Sequence, residues 1–354
     1  SGPDCGNTFF YEPFLYLNSR KKAKMGYEGN LKESVLRLES TRGKRLEQNI
    51  PILTLSEKEN LIKYYHPDYR THVKREISVG SGKGTLMANE LCDQLEARSL
   101  IDPDEIDLND VRVNKDVLVI GGGGGGATAA LFAHQHGADV MLATKLRFGD
   151  SNTIMAEGGI NACVSPGDSP MRYFIDTMGG GAFENIPSLV YTLALDSPRI
   201  LKWLEDLGVP FDKEPDGTVP EATFRLGGGH SRPRVHSVGD YTGMAIMQVL
   251  RDEIYNQKIE VMEFSPVVEL ILGNQGECTG AILMNLETQK YFIVRAKKVI
   301  LATGGLGRLH LQKMPTTNHY GATADGLVVG YRAGAKFAFV DSVQFHPTGT
   351  AYPD

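Results

Sequence analysis

Cysteine is scarce in this chain: four residues in 354, Cys5, Cys92, Cys163 and Cys278, with no C-x-x-C pair and no ladder of metal ligands. That scatter argues against a disulfide framework or a metal centre and for buried free thiols. Any iron-sulfur cluster associated with the protein would sit on another chain. Long apolar runs are also missing. None reaches the roughly 20 residues a bilayer-crossing helix needs, and the first residues lack the charged, apolar and small-residue order of a secretory leader. Membrane contact would have to come through a partner. Nor is there a basic surplus: 37 Lys and Arg against 43 Asp and Glu give a net charge of -6, and nucleic-acid binding needs a basic face.

What is present is an ordinary globular composition, 41% hydrophobic and 23% charged, in a chain long enough for more than one domain. Its organising stretch is residues 115–126, Lys-Asp-Val-Leu-Val-Ile followed by six glycines. Residues 117–120 read as a buried parallel strand that runs into Gly121, Gly123 and Gly126 at G-x-G-x-x-G spacing. Gly121 allows the tight turn, Gly123 lets a pyrophosphate approach the backbone, and Gly126 lets the next helix pack on the strand. That helix is expected over residues 127–136, with its N-terminal N–H groups and dipole facing phosphate. A second strand at 139–143 completes the context of a dinucleotide site. NAD and many FAD sites carry an acid about 20 residues past the glycines, but here the strand ends in Thr144-Lys145. Lys145 would suit a 2′-phosphate, so the residues alone leave NAD, NADPH and FAD open.

Residues 1–114 look different. Aromatic clusters alternate with charged runs, helices are expected over 31–38, 56–65 and 86–100, and Ser56 with Glu59 fits a capping box. The Ser81-Gly82-Lys83-Gly84 run lacks P-loop spacing. This part reads as a partner-docking arm. Beyond the second strand, 144–160 reads as a loop. Residues 187–207 read as two helices broken near Pro198, and 242–257 as one more. Residues 259–291 read as an antiparallel meander, followed by a buried strand at 298–302. A Gly-rich helix over 321–335 comes next, and a short strand ends near Gln344.

Six motifs occur in order: the glycine loop, Ser151-Asn152-Thr153, Ala156-Glu157-Gly158-Gly159-Ile160, Ala302-Thr303-Gly304-Gly305, Ala324-Asp325-Gly326 and Gln344-Phe345-His346-Pro347-Thr348-Gly349. Over about residues 115–354 they resemble the flavoprotein family of succinate dehydrogenase, fumarate reductase and L-aspartate oxidase. The resemblance implies an α/β fold: a Rossmann-like FAD-binding domain over 115–354 with an inserted antiparallel β-meander, preceded over 1–114 by a mostly helical extension. It implies FAD held by Gly121, Gly123, Gly124 and Gly126, by Thr144 and Lys145, and by Ser151, Asn152 and Thr153. Thr303, Gly304 and Asp325 belong to the same set, although Asp325 also reads as a helix cap and Thr303-Gly304 as a strand-ending turn. Backbone N–H groups around Glu157, Gly158 and Gly159 would meet the flavin near N5 and stabilise the charge of reduction.

His346, biased towards extended backbone by Pro347, is implied to bind a carboxylate of a C4 dicarboxylate substrate held against the flavin for hydride exchange. His230, in Gly-Gly-Gly-His-Ser, looks like a segment of L-aspartate oxidase and reads equally as a loop histidine. Family members with covalent flavin carry a histidine where this chain has Asn152. An amide cannot make that bond, so non-covalent FAD is expected. The resemblance further implies an iron-sulfur electron-transfer partner, and a cytoplasmic location or one at the inner face of a membrane through partner subunits. It also implies that a cap domain, a proton-donating arginine and further substrate-binding residues lie beyond position 354. L-aspartate oxidase and a non-catalytic FAD-binding electron relay stand as alternative readings.

Overall fold

The structure is a computed structural model that describes residues 29–49, 51–66, 69–70, 72–102, 106–213, 227–340 and 342–344. The chain divides into two compact units between His66 and Pro67. The first holds helices α1 (Gly29–Leu46) and α2 (Leu55–Tyr65), neither with an apolar face buried within the unit. The capping box of α2 is made by Thr54 and Glu57, not by Ser56 and Glu59. The chain offers two overlapping Ser/Thr-x-x-Glu registers, and the earlier one satisfies both the Thr54 and Glu57 N–H groups.

The second unit opens with a hairpin of β1 (Lys74–Glu76) and β2 (Leu86–Ala88), followed by α3 (Asn89–Glu96). The single helix expected over 86–100 is therefore a strand and a shorter helix, because residues 86–88 pair with 74–76.

One six-stranded sheet follows. It contains β3 (Val111–Ile120), β4 (Val140–Ala143), β7 (Glu260–Met262), β8 (Val267–Leu272), β9 (Cys278–Asn285) and β10 (Lys290–Leu301), in the order β7-β4-β3-β10-β9-β8. The two-residue strands β5 (Ile160–Asn161) and β6 (Val235–His236) pair separately. β7, β4, β3 and β10 are parallel neighbours, and β8, β9 and β10 form the antiparallel meander, which therefore starts at Val267 and not at 259, because residues 260–262 pair parallel with β4. The meander is not a separate layer. β10 pairs with β9 over its first half and runs beside β3 over nearly its whole length, so the strand expected at 298–302 and the last meander strand are one.

The apolar run at 118–120 is buried on both faces, as parallel strands are. Val119 and Leu142 point to a core shared with α4 (Gly124–Gln135), α6 (Pro187–Leu207) and α7 (Thr242–Asn256). Leu118, Ile120, Met141 and Ala143 face the other core, closed by Val329 of α8 (Asp325–Arg332). A third core joins Ile77, Met87, Leu91, Cys92 and Leu95 to Ala324 and Tyr331. The Tyr331 hydroxyl donates to Val79 O and accepts from Gly82 N at 2.9 Å. Residues 77–95 thus pack directly behind the helix that begins at Asp325. Among the described residues the remaining α-helix is α5 (Pro170–Gly180).

α6 is one continuous helix through Pro198, not two. Proline removes the N–H that would bond Ala194 O. That carbonyl instead accepts from Ser197 Oγ at 3.0 Å and from the buried Cys163 thiol at 3.5 Å. Cys92 is also buried and Cys278 half-buried, all three free. Among the described residues no helix is long and apolar enough to cross a membrane.

Candidate functional site

β3 delivers the chain to Gly121, and α4 begins three residues later. Two glycines are required sterically. Gly121 has φ +124°, and a Cβ there would stand 2.2 Å from the Ala302 carbonyl oxygen; at Gly126 it would stand 1.8 Å from Gly121 O. Any side chain at Gly126 would push α4 off the strand that feeds it. Gly123 differs, because the nearest atoms to an added Cβ belong to Ser151 at 3.4 Å. The protein leaves room there, so the bare backbone serves the approach of a ligand. Gly123 is also the N-cap of α4, offers no side-chain acceptor, and is followed by no acid in the first turn. The first-turn N–H groups, without intrahelical partners, therefore form an anion site reinforced by the helix dipole. One of them, Gly124 N, is taken by Thr153 Oγ1 at 3.0 Å.

A cavity of about 360 Å³ lies at these strand ends, walled by Gly121 to Gly125, by residues 143–146 and 150–153, and by parts of 265–267, 302–304 and 319–325. Of the residues expected from sequence, Gly121, Gly123, Gly124, Thr144, Lys145, Ser151, Asn152, Thr153, Thr303, Gly304 and Asp325 line it. Gly126 acts behind the wall through its packing. Thr144 is buried at the end of β4, its N–H bonded to Met262 O and its carbonyl to Ser265 N.

The Lys145 ammonium donates to Asp325 Oδ2 at 2.6 Å and to Thr323 Oγ1 at 2.7 Å, and Thr323 Oγ1 donates to the same carboxylate at 3.0 Å. A 2′-phosphate would have to displace that carboxylate to use Lys145, which counts against NADPH. Asp325 is the first helical residue and not the cap; Ala324 is the N-cap, at φ +68°.

Glu157, Gly158 and Gly159 do not line the cavity. They precede the β5–β6 pair, where Gly159 sits at φ +105° with no room for a Cβ beside His236 O. His346 lies outside the described residues. His230 does not line the cavity either, and its Nδ1 is buried without a hydrogen-bond partner. The next serine is firmly held: Ser231 N and Oγ both donate to Asp176 Oδ2 at 2.8 Å. Asp176 also accepts from Arg234 Nη1 at 2.6 Å, and Arg234, fully buried, is bidentate to Asp168 at 2.9 Å on both arms. Burial works to raise both carboxyls. The Arg234 guanidinium and the backbone N–H groups of Ser169 (to Asp168) and Ser231 (to Asp176) outweigh it and hold both below the usual range.

Sequence reasoning missed His319, which lines the cavity. Its Nδ1 accepts from Gly321 N at 3.2 Å, which places the ring proton on Nε2, and its backbone N–H donates to Asn152 Oδ1 at 2.8 Å. Burial lowers its pKa; Asp150 opposes this, while Arg308 and Lys145 add to it. The shift favours the neutral ring. No motif marks this residue, because its main contact to Asn152 runs through its backbone.

A strand–glycine turn–helix at the end of a parallel sheet, with an anion-binding helix start and a cavity beside it, defines a dinucleotide-binding protein. Which dinucleotide follows from comparison with known proteins: the FAD binding domain family matches residues 116–353. The chain belongs to that family, and its cofactor is FAD.

An uncharacterized FAD-dependent oxidoreductase of Methanocaldococcus jannaschii is 41% identical over 236 residues, 66% of this chain and 42% of the relative. One subunit of the fumarate reductase (CoM/CoB) of Methanothermobacter marburgensis is 36% identical over 243 residues, 68% and 43% of the two chains. The L-aspartate oxidases of Streptomyces coelicolor and Vibrio cholerae are each 34% identical, with 40% and 45% of their lengths covered. Among solved structures, the open conformation of a flavocytochrome c3 fumarate reductase superposes with a TM-score of 0.62 at 30% identity, covering 69% of this chain and 45% of that one. The chain spans less than half the length of the relatives it matches first. The expected α/β flavoprotein fold and family are borne out.

Proposed function

We propose that this chain is the FAD-binding part of an oxidoreductase of the fumarate reductase and succinate dehydrogenase type, acting on a C4 dicarboxylate. The observation that carries the reading is the cavity, with its Gly123 approach and its paired Lys145 and Asp325, in a chain similar along 68% of its length to one subunit of a fumarate reductase. When bound, FAD supplies a ring that takes up or gives a hydride at N5. The chain's own residues hold it. The start of α4 receives the pyrophosphate, and the bare backbone at Gly123 lets it come close. Lys145 and Asp325 together present a donor and an acceptor of fixed geometry to the polar parts of the cofactor. Ser151, Thr153, Thr303 and Gly304 complete the wall.

FAD is held without a covalent bond, because Asn152 has no nucleophile and its amide oxygen is already engaged by His319. His346 binds a substrate carboxylate. Glu157, Gly158 and Gly159 carry N–H groups for the flavin edge. Electrons arrive through an iron-sulfur partner. A partner subunit is supported by the Methanothermobacter relative, whose name makes it one component of a larger reductase. The same reading locates the protein in the cytoplasm or at the inner face of a membrane through its partners.

L-aspartate oxidase is the second reading, favoured by relatives of that name at 34% identity. The holoprotein is assayed for fumarate-dependent oxidation of a reduced viologen and for aspartate-dependent peroxide formation. Fumarate turnover supports the first reading and peroxide the second. Bound FAD with neither activity, partners present, leaves a non-catalytic electron relay.

A further inference from the structure

Two cross-links tie the same pair of segments together across the cavity. At one, Lys145 reaches from the end of β4 to Thr323 and Asp325. At the other, Asn152 Oδ1 accepts from His319 N at 2.8 Å. Asn152 is solvent-exposed and still lines the cavity, so the second cross-link stands at the rim. The segments it joins, 144–153 and 319–325, supply much of the wall. His319 is positioned further by Gly321 N on its Nδ1 and by the Tyr320 ring, with centroids 4.3 Å apart.

We infer that Asn152 and His319 form a latch across the rim of the FAD cavity, and that this latch, in place of a covalent bond, retains the cofactor. Asn152 is a positioning residue: it acts through the backbone of His319, and closing the two segments over a bound dinucleotide slows its escape. The inference rests on FAD being held non-covalently. It gives the amide at position 152 a use of its own, namely an acceptor aimed at a backbone N–H. A histidine there would have to give up that bond or rebuild it with different geometry.

The test uses the purified holoprotein and three forms at position 152: the native Asn, Asn152→Leu, which keeps the shape and loses the acceptor, and Asn152→Asp, which keeps the acceptor. Release of FAD is followed by recovery of free-flavin fluorescence after large dilution into buffer, with the thermal midpoint of each apoprotein as control. Loss of one well-formed hydrogen bond predicts release about tenfold faster for Asn152→Leu. The apoprotein midpoint should fall by no more than the loss of one exposed hydrogen bond allows, and the Asn152→Asp rate should return to within about threefold of the native one. Equal rates for Asn and Leu, or an Asp variant as fast as Leu, overturn the latch and leave non-covalent binding intact. A flavin adduct in the denaturing mass spectrum of the native protein overturns both.

Discussion

The carboxylate of Asp325, at the start of α8, accepts a hydrogen bond from the Lys145 ammonium of the strand-end loop at 2.6 Å, so two residues far apart in sequence make one polar element of the cavity wall. Both side chains are partly exposed, at 27% and 35%, so the pair itself adds little to stability. On the proposed reading its effect is on binding. Asp325→Asn and Lys145→Met should each raise the FAD dissociation constant about tenfold, measured by quenching of flavin fluorescence, with little change in the apoprotein's thermal midpoint.

Glycines in the six-residue run are not equivalent. Gly126→Ala places a methyl group 1.8 Å from Gly121 O, while at Gly125 an added Cβ meets nothing within 4 Å. Gly126→Ala should cost more than about 2 kcal/mol through forced separation of helix and strand, seen as a drop of several degrees in the apoprotein's melting temperature. Gly125→Ala should leave the melting temperature unchanged or raise it slightly, since alanine favours the helix by up to about 1 kcal/mol.

Arg234 is surrounded by Asp168 and Asp176 with no exposed side-chain surface of its own. Arg234→Met strands two buried carboxylates and should cost about 3–5 kcal/mol at neutral pH; Arg234→Lys should not restore it, since an ammonium cannot bridge bidentately. Both carboxyls are held below the ordinary 3.8 in the folded protein. Their contribution is fully present above the unfolded value and lost as pH falls through the lowered folded values. In the Arg234→Met protein burial is no longer offset by the guanidinium and raises both carboxyls, so the difference in urea stability between native and variant should be largest near neutral pH and shrink steadily as pH falls and the stranded carboxylates take up protons.

At the proline inside α6, Ser197 Oγ bonds Ala194 O and also lies 3.4 Å from Cys163 N. Ser197→Ala should cost about 1–2 kcal/mol. In a Pro198→Ala background, where a backbone N–H is again available to Ala194 O, the same change should cost roughly half as much or less. Equal costs in the two backgrounds would mean the hydroxyl does not replace the missing bond.

His346→Ala, introduced into the intact holoprotein, should weaken dicarboxylate binding and turnover about a hundredfold while FAD content stays at one per chain, as expected when a charge-assisted contact is lost. Unchanged kinetics would remove His346 from the substrate site.

How much of the fold and the site is legible in the sequence follows from the reach of each interaction. Gly121 and Gly126 can be read because their constraint is local: strand, turn and helix lie within a dozen residues. Lys145 cannot be interpreted from its surroundings, because the carboxylate that engages it lies on α8. Pro198 misleads for the same reason. The local rule ends a helix, and the rescue comes partly from Ser197 beside it and partly from Cys163 on another segment. Thr54 and Ser56 compete for the cap of α2 because two equivalent registers overlap, and local pattern does not choose between them. His319 escapes notice because it acts through an N–H that every residue but proline possesses.

The change of partners along β10 bears on how the molecule assembles. Its first half meets β9 across a turn of a few residues, whereas Ile293 to Leu301 meet β3 across most of the domain. Ring closure favours the near contact, so the β8–β10 hairpins can nucleate on their own, while docking on β3 waits for the intervening helices. The strand that leads into the wall residues Ala302, Thr303 and Gly304 is thus the seam between near and far contacts. On the proposed assignment of this cavity to FAD, the cofactor binds only once that seam has closed and favours the completed state by mass action.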